Sequence, residues 1–198
     1  MVVNYPNGRR GSKANLAPKG KTKPDFSNRG MSLEEDINVT NEYYLQAGVA
    51  VVHKKPTPVQ IVQVDYPKRS AAVIKEAYFK QASTTDFNGV YRGKYIDFEA
   101  KETKNKTSFP LSNVHQHQID HMRAVQEHGG ISFMIIKFTP LEETYLLPSS
   151  SIFSFWENQW NGGRKSIPYA FITKEGIKIP FHYQARVHYA TAIDKLYF

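Results

Sequence analysis

Hydrophobic and polar positions follow two different periods along the first half of the chain. From Ser32 onward the spacing is helical, and Ser32 followed by Glu35 three residues later is the signature of a capping box. The pattern predicts a helix that runs to about Gln46 and ends at Gly48. Its apolar positions follow a roughly helical spacing: Leu33, Ile37, Tyr44 and Leu45.

The next apolar positions indicate strands. Residues 49–53 are the first, and residues 60–65 follow after the rigid basic break Lys54-Lys55-Pro56-Thr57-Pro58. The pattern over residues 71–79 fits either a helix or a strand. We favour a strand that returns beside residues 60–65, which would give a hairpin that projects from the body of the protein.

A second strand pair is predicted over residues 83–91 and 94–101. A turn at Asn88-Gly89 or at Arg92-Gly93 would join the two strands, since both dipeptides suit a tight hairpin. In either case the strands would lie side by side in one sheet.

The second half of the chain is predicted to add two helices and two strands. Ser112 is the expected N-cap of a helix that runs to about residue 127 and is closed by glycines. Residues 131–138 are a continuous apolar run, typical of a strand buried on both faces. Residues 145–147 indicate another strand, and residues 149–160 a helix. This order of elements predicts one α/β domain around a mixed sheet.

Acidic and basic side chains gather on the second strand pair. Alternate residues of a strand face the same side, so Thr84 shares a face with Asp86, and Glu99 shares one with Lys101. If the strands are neighbours, Asp86, Glu99 and Lys101 converge. Two carboxylates with neutral oxygen ligands suit Mg²⁺, or Mn²⁺ in its place. Such an ion activates water for phosphodiester hydrolysis, and Lys101 would stabilise the transition state.

Other residues bear on this candidate site. Gln118 lies on the inward stripe of the second helix, so its amide needs a partner, either at the metal site or in the core backbone. Glu35 and Asp97 are candidate supporting acids, although the capping role explains Glu35 equally well. His117 and His121 have the i, i+4 spacing of a zinc pair. No third soft ligand accompanies them, so surface or phosphate-contact roles are favoured.

Positive charge is concentrated at the N-terminus. The net charge is +8, and residues 1–30 hold seven Lys or Arg against one acid. The segment has few apolar residues, so we expect a flexible basic arm at 1–30 and a globular domain over 31–198 with an insertion at about 56–80. The candidate DNA-binding residues, chosen because phosphate is the usual partner of such segments, are Arg9, Arg10, Lys54, Lys55, Lys68, Arg69, Lys75 and Lys80.

Composition limits the remaining classes. The chain has no cysteine, which excludes disulfides and thiolate metal sites. We expect neither a secretion signal nor a membrane partner, because no apolar run approaches roughly 18 residues. A cytoplasmic, nucleoid-associated location is the corresponding expectation.

The motifs as a set resemble the RecU-type Holliday junction resolvases of Gram-positive bacteria. The resemblance runs from about Asn4 to the C-terminus. It rests on Asp86, Glu99-x-Lys101, Gln118 and the basic insertion, and on several longer stretches. These are Tyr5-Pro6-Asn7-Gly8, Arg29-Gly30-Met31, Val64-Asp65-Tyr66-Pro67-Lys68-Arg69-Ser70, residues 91–103 and His117-Gln118-Ile119.

The resemblance implies a restriction endonuclease-like fold and a homodimer that makes Mg²⁺-dependent symmetrical nicks in four-way DNA junctions. By motif, the implied metal-site residues are Thr84, Asp86, Glu99 and Gln118, and Lys101 is the implied transition-state stabiliser. Residues 56–80 would be a stalk that enters the junction. The RecA recombinase is an implied partner, and recombination, DNA repair and chromosome segregation are the implied processes.

Two other hypotheses remain open from the sequence. A non-catalytic DNA-binding or strand-annealing protein would need only the basic arm and insertion, and no metal. A nuclease of the same fold acting on ordinary duplex would need the metal site but no junction specificity.

Overall fold

The computed structural model describes residues 32–66, 72–80 and 84–198. These residues belong to two compact units. The smaller one contains residues 58–66 and 72–80, and the larger one contains residues 32–57 together with the chain from residue 84 to the C-terminus. Arg9, Arg10, Lys68 and Arg69 of the predicted DNA-binding set lie outside the described residues.

The elements alternate between strands and helices. The strands of the described residues are β1 (Val51–Lys54), β2 (Val59–Asp65), β3 (Val73–Phe79), β4 (Phe87–Tyr91), β5 (Lys94–Thr103), β6 (Ser108–Pro110), β7 (Ile131–Phe138), β8 (Glu143–Pro148), β9 (Ser166–Pro168) and β10 (Ile177–Ile179). The α-helices there are α1 (Leu33–Gln46), α2 (Gln116–Glu127), α3 (Ser149–Asn158), α4 (Tyr169–Glu175) and α5 (Ala190–Tyr197).

The larger unit is built on a mixed sheet with the strand order β1-β4-β5-β7-β8-β10. The central pair β5 and β7 is parallel, whereas every other neighbouring pair in this sheet is antiparallel. A parallel pair needs a crossover connection, and α2 lies within it. The predicted α/β class and mixed sheet flanked by helices are confirmed, as the restriction endonuclease-like fold requires.

Helices cover both faces of this sheet, which explains the continuous apolar run of β7. Phe133 and Ile135 belong to one core with residues of α1 and α5. Met134 and Ile136 belong to a second core with residues of α2, α3 and α4. Because its residues alternate between two hydrophobic cores, β7 has no solvent-facing side, and the predicted doubly buried strand is confirmed.

Helix α1 begins where its capping box predicts. The backbone N–H of Glu35 donates to Ser32 Oγ at 3.3 Å, and the backbone N–H of Ser32 donates to Glu35 Oε2 at 2.8 Å. A third donor at this helix end, the Leu33 N–H, is accepted by Glu102 Oε1 at 2.7 Å. The start of α1 is therefore tied to strand β5, which also carries Glu99 and Lys101.

The turn between β4 and β5 is at Arg92-Gly93, where both residues have positive φ angles, of 48° and 75°. The alternative turn at Asn88-Gly89 is wrong, because both residues lie in β4 and pair with residues of β5. Gly89 instead lets β1 approach closely. A Cβ at this position would lie 2.1 Å from the Val51 carbonyl oxygen.

The predicted start of the second helix is also wrong. Ser112 lies in the short 3-10 helix Leu111–Asn113, and α2 starts at Gln116 with His115 as its N-cap residue. Val114 and His115 are extended, with ψ angles of 142° and 152°, and they separate the two helical segments. The predicted helix at 149–160 is confirmed as α3 followed by a 3-10 turn over Gln159–Asn161.

The smaller unit is a two-stranded antiparallel hairpin of β2 and β3. The returning strand predicted over 71–79 is thus confirmed, with a register irregularity around Gln63. Lys75 pairs with Asp65 at 2.9 Å. Val64 is half-buried, whereas eight large apolar side chains of the hairpin are at least 46% exposed: Val59, Ile61, Val62, Tyr66, Val73, Ile74, Tyr78 and Phe79.

No helix in the described parts of the chain is both long enough and apolar enough to cross a membrane.

Candidate active site

Strand β5 carries two buried carboxylates on one face. Asp97 and Glu99 are both 0% exposed, and Lys101 follows two residues later. Their neighbours Phe98 and Ala100 belong to the hydrophobic core on the opposite face. The period of two places three ionisable groups in a row on the side of the sheet that α2 covers.

Glu99 is the centre of the first group of contacts. Its Oε1 accepts a hydrogen bond from Gln118 Nε2 at 2.6 Å and forms an ion pair with Lys101 Nζ at 2.7 Å. Its Oε2 accepts the backbone N–H of Asp86 at 3.1 Å. One buried carboxylate thereby joins β5, α2 and the segment that precedes β4.

Asp86 lies at the start of β4, beside Glu99. Its Oδ2 accepts the backbone N–H of Ala100 at 3.4 Å, so its carboxylate reaches across to β5. Asp86 is half-buried, whereas Glu99 is fully buried. The structure therefore brings together Asp86, Glu99, Lys101 and Gln118, four of the residues that the sequence predicted for the site.

Burial and the negative charge of Asp86 raise the pKa of Glu99 to about 8, with Lys101 opposing that rise. Two carboxylates with little access to water repel each other, and a cation between them relieves both the repulsion and the desolvation cost. The donor set of two carboxylates and neutral oxygens fits a hard divalent cation. Within the described residues, no three His, Cys, Asp or Glu side chains come together as a metal-binding group.

Gln118 occupies the first turn of α2 and is 5% exposed. Its amide nitrogen donates to Glu99, and its Oε1 accepts the backbone N–H of His115 at 2.9 Å. The buried amide is thus paired at both ends, and it orients the Glu99 carboxylate. Its role as a direct metal ligand stays a prediction.

Thr84 lies in the segment that leads into β4, two residues before Asp86. Its hydroxyl donates to the Thr85 backbone carbonyl at 3.3 Å. The side chain is half-buried, and the predicted role of Thr84 as a metal ligand also stays a prediction.

Asp97 belongs to a second group of contacts. Lys55 Nζ lies 2.7 Å from Asp97 Oδ2, His121 Nε2 lies 3.1 Å from it, and the Tyr95 hydroxyl donates to it at 2.8 Å. The Thr85 hydroxyl donates to Asp97 Oδ1. Burial opposes ionisation, but the bonds from these four side chains more than offset it and keep the pKa of Asp97 below its usual range.

Glu34 and Glu35 are adjacent acids in the first turn of α1, and the predicted supporting role of Glu35 stays a prediction. Glu35 is exposed and its carboxylate is used in the capping box. Glu34 pairs with Lys54, and it lines an open cavity of about 390 Å³ together with Lys101, Glu102 and neighbouring residues. The sequence could have indicated Glu34, because a recognised capping box uses the side chain of Glu35 at the helix end and does not use that of the adjacent Glu34.

The three histidines of this region separate into two places. His121 faces Asp97 and Lys55. The rings of His115 and His117 stack with centroids 5.5 Å apart. Burial, His115 and Lys101 lower the pKa of His117, which favours the neutral ring.

The described basic residues have different surroundings. The side chain of Lys55 is 17% exposed and its ammonium is bound to Asp97, and the role of Lys55 in DNA binding stays a prediction. Lys54 pairs with Glu34 and is 42% exposed. Lys75 and Lys80 are exposed on the hairpin unit.

A family model described as "Recombination protein U", RecU, matches residues 28–195 of the chain. The chain belongs to the RecU family. Family membership, which the motifs at Asp86, Glu99-x-Lys101 and Gln118 predicted, is thereby confirmed.

Curated RecU relatives match over the full chain. A protein of Oceanobacillus iheyensis is 63% identical over 196 residues, which is 99% of this chain and 100% of the relative. A Geobacillus sp. protein is 61% identical over 199 residues, 100% and 99% of the two chains. A Bacillus thuringiensis protein is 59% identical over 199 residues, 100% of both. Each carries the name Holliday junction resolvase RecU.

Proposed function

We propose that this protein is a divalent metal-dependent endonuclease that resolves four-way DNA junctions by symmetrical paired nicks. The observation that carries the proposal is the meeting of Asp86, Lys101 and Gln118 at the buried carboxylate of Glu99. The name of its relatives, Holliday junction resolvase RecU, supports the same substrate.

Asp86 and Glu99 are the residues that would hold the cation, with Thr84 and Gln118 as further oxygen donors. Mg²⁺ is the proposed ion and Mn²⁺ a substitute, because hard cations prefer oxygen ligands. When bound, the ion lowers the pKa of a water, positions the scissile phosphate and neutralises developing charge.

Lys101 is the proposed transition-state stabiliser. Its ammonium lies 2.7 Å from Glu99 Oε1 and the side chain is 24% exposed, so Lys101 is fixed beside the acids yet remains accessible to a substrate phosphate. A preoriented positive charge at the place where charge develops lowers the barrier without reorganisation at the moment of reaction. Gln118 holds the Glu99 carboxylate in one orientation.

Junction specificity is proposed to come from shape and backbone charge. A twofold homodimer would place two active sites in the relation that two opposed cuts require. The hairpin over residues 58–80, with Lys75 and Lys80, and the basic segment at 1–30 are the proposed DNA contacts. They would recognise phosphates and the geometry of the branch rather than base edges.

The proposed cellular role is in homologous recombination, DNA repair and chromosome segregation. Modulation of the RecA recombinase and strand annealing belong to this proposal, as does a cytoplasmic, nucleoid-associated location. These parts rest on the family resemblance alone.

The test is cleavage of a four-way junction labelled on each strand in turn, with Mg²⁺ or with EDTA. We expect paired nicks at symmetrical positions in Mg²⁺ and none in EDTA. Binding without nicks under both conditions would favour the non-catalytic annealing protein. Equal cleavage of linear duplex would favour the general nuclease, and competition between duplex and junction measures that preference.

A further inference from the structure

The group of contacts around Asp97 has no role in the proposed chemistry, yet it is more completely paired than the group around Glu99. Asp97 is fully buried and accepts from or pairs with Lys55, Thr85, Tyr95 and His121. A buried carboxylate with so many partners is costly to disturb, because each partner left behind loses its counterpart. The contacts of Asp97 therefore hold in place the chain segments that carry Lys55, Thr85, Tyr95 and His121.

Lys55 connects this group to the segment that bears the candidate metal ligands. Its Nζ lies 2.7 Å from Asp97 and donates to Thr85 Oγ1 at 3.1 Å. Its backbone N–H donates to the Asp86 carbonyl at 2.7 Å. A single residue thus holds both Thr85 and Asp86, through its side chain and its main chain.

The backbone bond extends the pairing of β1 with β4 by one position. Lys54 pairs with Phe87, and the next bond outward joins Lys55 to Asp86. Residues 56–85 lie between these two positions in the chain. The bond between Lys55 and Asp86 therefore joins the two ends of this long segment. Asp86 is the first of the two candidate metal-binding acids.

The contacts of Asp86 with strand β5 are weaker by geometry. They are the N–H bond to Glu99 Oε2 at 3.1 Å and the bond from Ala100 N at 3.4 Å. The first bond is accepted by the carboxylate of Glu99 and the second by that of Asp86, and these two acids repel each other. The main-chain bond from Lys55 is a shorter anchor that uses neither carboxylate, and the Lys55 side chain, bound to Asp97 and Thr85, fixes the residue that donates it.

We infer that Lys55 and Asp97 are positioning residues that hold residues 84–86 in place for metal binding. This inference rests on the proposed function, since it assigns a role to contacts beside the proposed metal site. Neither side chain is a metal ligand in this assignment. Partners of this kind, which orient ligands, change metal affinity or activity by about 10–100-fold when removed.

The test compares Lys55→Met with Arg92→Met in the full-length protein. Arg92 pairs with Asp194 at 2.9 Å and sits at the far end of β4, so its variant removes one ion-paired cation away from Asp86. Mn²⁺ binding to the DNA-free protein is followed by electron paramagnetic resonance. Junction cleavage under single-turnover conditions, junction affinity in Ca²⁺ and thermal unfolding are measured alongside.

We expect Lys55→Met to weaken Mn²⁺ binding to the DNA-free protein by about tenfold or more and to slow cleavage in proportion. Arg92→Met should leave Mn²⁺ binding unchanged. Lys55→Arg keeps a cation that can pair with Asp97 and should recover part of the Mn²⁺ affinity. Loss of thermal stability in Lys55→Met with unchanged Mn²⁺ affinity would show a purely structural role and overturn the inference.

Asp97→Asn and the double variant with Lys55→Met complete the test. If Lys55 and Asp97 act as one unit, their effects are coupled. The Mn²⁺ affinity of the double variant should then be about the same as that of the single variant with the lower affinity. Additive losses would overturn the pairing. Should Lys55→Met fail to fold, Thr85→Val, which removes one bond to Asp97 and one to Lys55, is expected to weaken Mn²⁺ binding in the same direction.

The failures of the two proposals are distinguishable. Wild-type protein that neither binds Mn²⁺ nor nicks a junction would overturn the proposed function. Wild-type protein that does both, together with a Lys55→Met or Thr85→Val variant that binds Mn²⁺ as tightly as Arg92→Met does, would overturn the positioning role alone.

Discussion

Lys101 and Glu99 lie two residues apart on one face of β5 and form an ion pair of 2.7 Å across the edge of the candidate site. The Glu99 side chain is fully buried, whereas the Lys101 side chain is partly open to solvent. When Glu99 is ionised, the pair therefore presents positive charge towards solvent and negative charge towards the interior. That polarity suits a site that receives a phosphate from outside and holds a cation within.

Lys101→Met should remove catalysis while leaving DNA binding. The methyl terminus keeps the length of the side chain but supplies no charge to the transition state, so single-turnover cleavage should fall at least about 10²-fold. Junction affinity in Ca²⁺ should stay close to wild type. Asp86→Asn is expected to give the same separation of binding from cleavage.

Lys178→Met is the matched control for this experiment, because Lys178 pairs with Glu143 on the neighbouring strand and takes no part in the contacts of Glu99. It should cleave at the wild-type rate. Loss of junction binding in Lys101→Met with the fold intact would contradict the assigned role.

The stability of the metal-free protein should fall as pH rises. Burial and Asp86 raise the pKa of Glu99 from 4.5 to about 8, so the folded state keeps a proton that the unfolded state releases. The stabilising contribution is fully present below pH 4.5 and is lost as pH rises through 8. The slope from this one group is at most about 1.4 kcal/mol per pH unit.

Denaturant unfolding in EDTA across this pH range measures the effect. The informative quantity is the difference between wild type and Glu99→Gln, since other groups also titrate. The wild-type free energy of unfolding should decline relative to the variant, and Mg²⁺ should restore it at the upper end. Parallel curves for the two proteins would rule out the raised pKa.

Gln118→Leu should weaken metal binding even if Gln118 is not itself a ligand. The substitution removes the donor to Glu99 Oε1 and the acceptor for the His115 N–H. Removal of such an orienting group typically lowers metal affinity or activity by about 10–100-fold. Calorimetric titration with Mn²⁺ provides the measurement.

Gln126→Leu is the comparison on the same helix, because the Gln126 amide donates to Ser149 Oγ rather than to the candidate site. Both variants should lose some thermal stability, but only Gln118→Leu should lose metal affinity. Equal affinities in the two variants would show that Gln118 has no influence on the cation.

Removal of residues 1–28 should weaken junction binding and make it less dependent on salt. For every phosphate that the shortened protein no longer neutralises, the slope of log affinity against log salt should decrease by about 0.9. Thermal unfolding should be unchanged, since the predicted arm has few apolar residues to bury. A salt titration that gives the wild-type slope would remove the arm from the DNA-binding surface.

Local sequence patterns predicted the parts of the fold that local physics determines. The capping box at Ser32 and Glu35 forms as expected, because both partners lie within one helical turn. The alternation on β5 placed Glu99 and Lys101 on one face, and the apolar run of β7 indicated its burial on both sides.

The errors arose where distant residues decide. Asn88-Gly89 has the composition of a turn, but Gly89 is required by the close approach of β1, which no local pattern reveals. The pairing of Lys55 with Asp97 joins residues 42 positions apart, so no local pattern could indicate it, and the role of Lys55 in DNA binding stays a prediction. The orientation of the Gln118 amide likewise depends on the His115 backbone and Glu99 together.

The parallel alignment of β5 with β7 also has a kinetic meaning. These strands pair from Ile96 with Ile131 to Thr103 with Phe138, so the intervening chain must be closed before β5 and β7 can pair with each other. Closing such a long connection is slow relative to forming a hairpin. The connection between β5 and β7 carries Gln118. Cation binding should therefore appear during refolding when β5 pairs with β7, and not when the earlier turn between β4 and β5 forms.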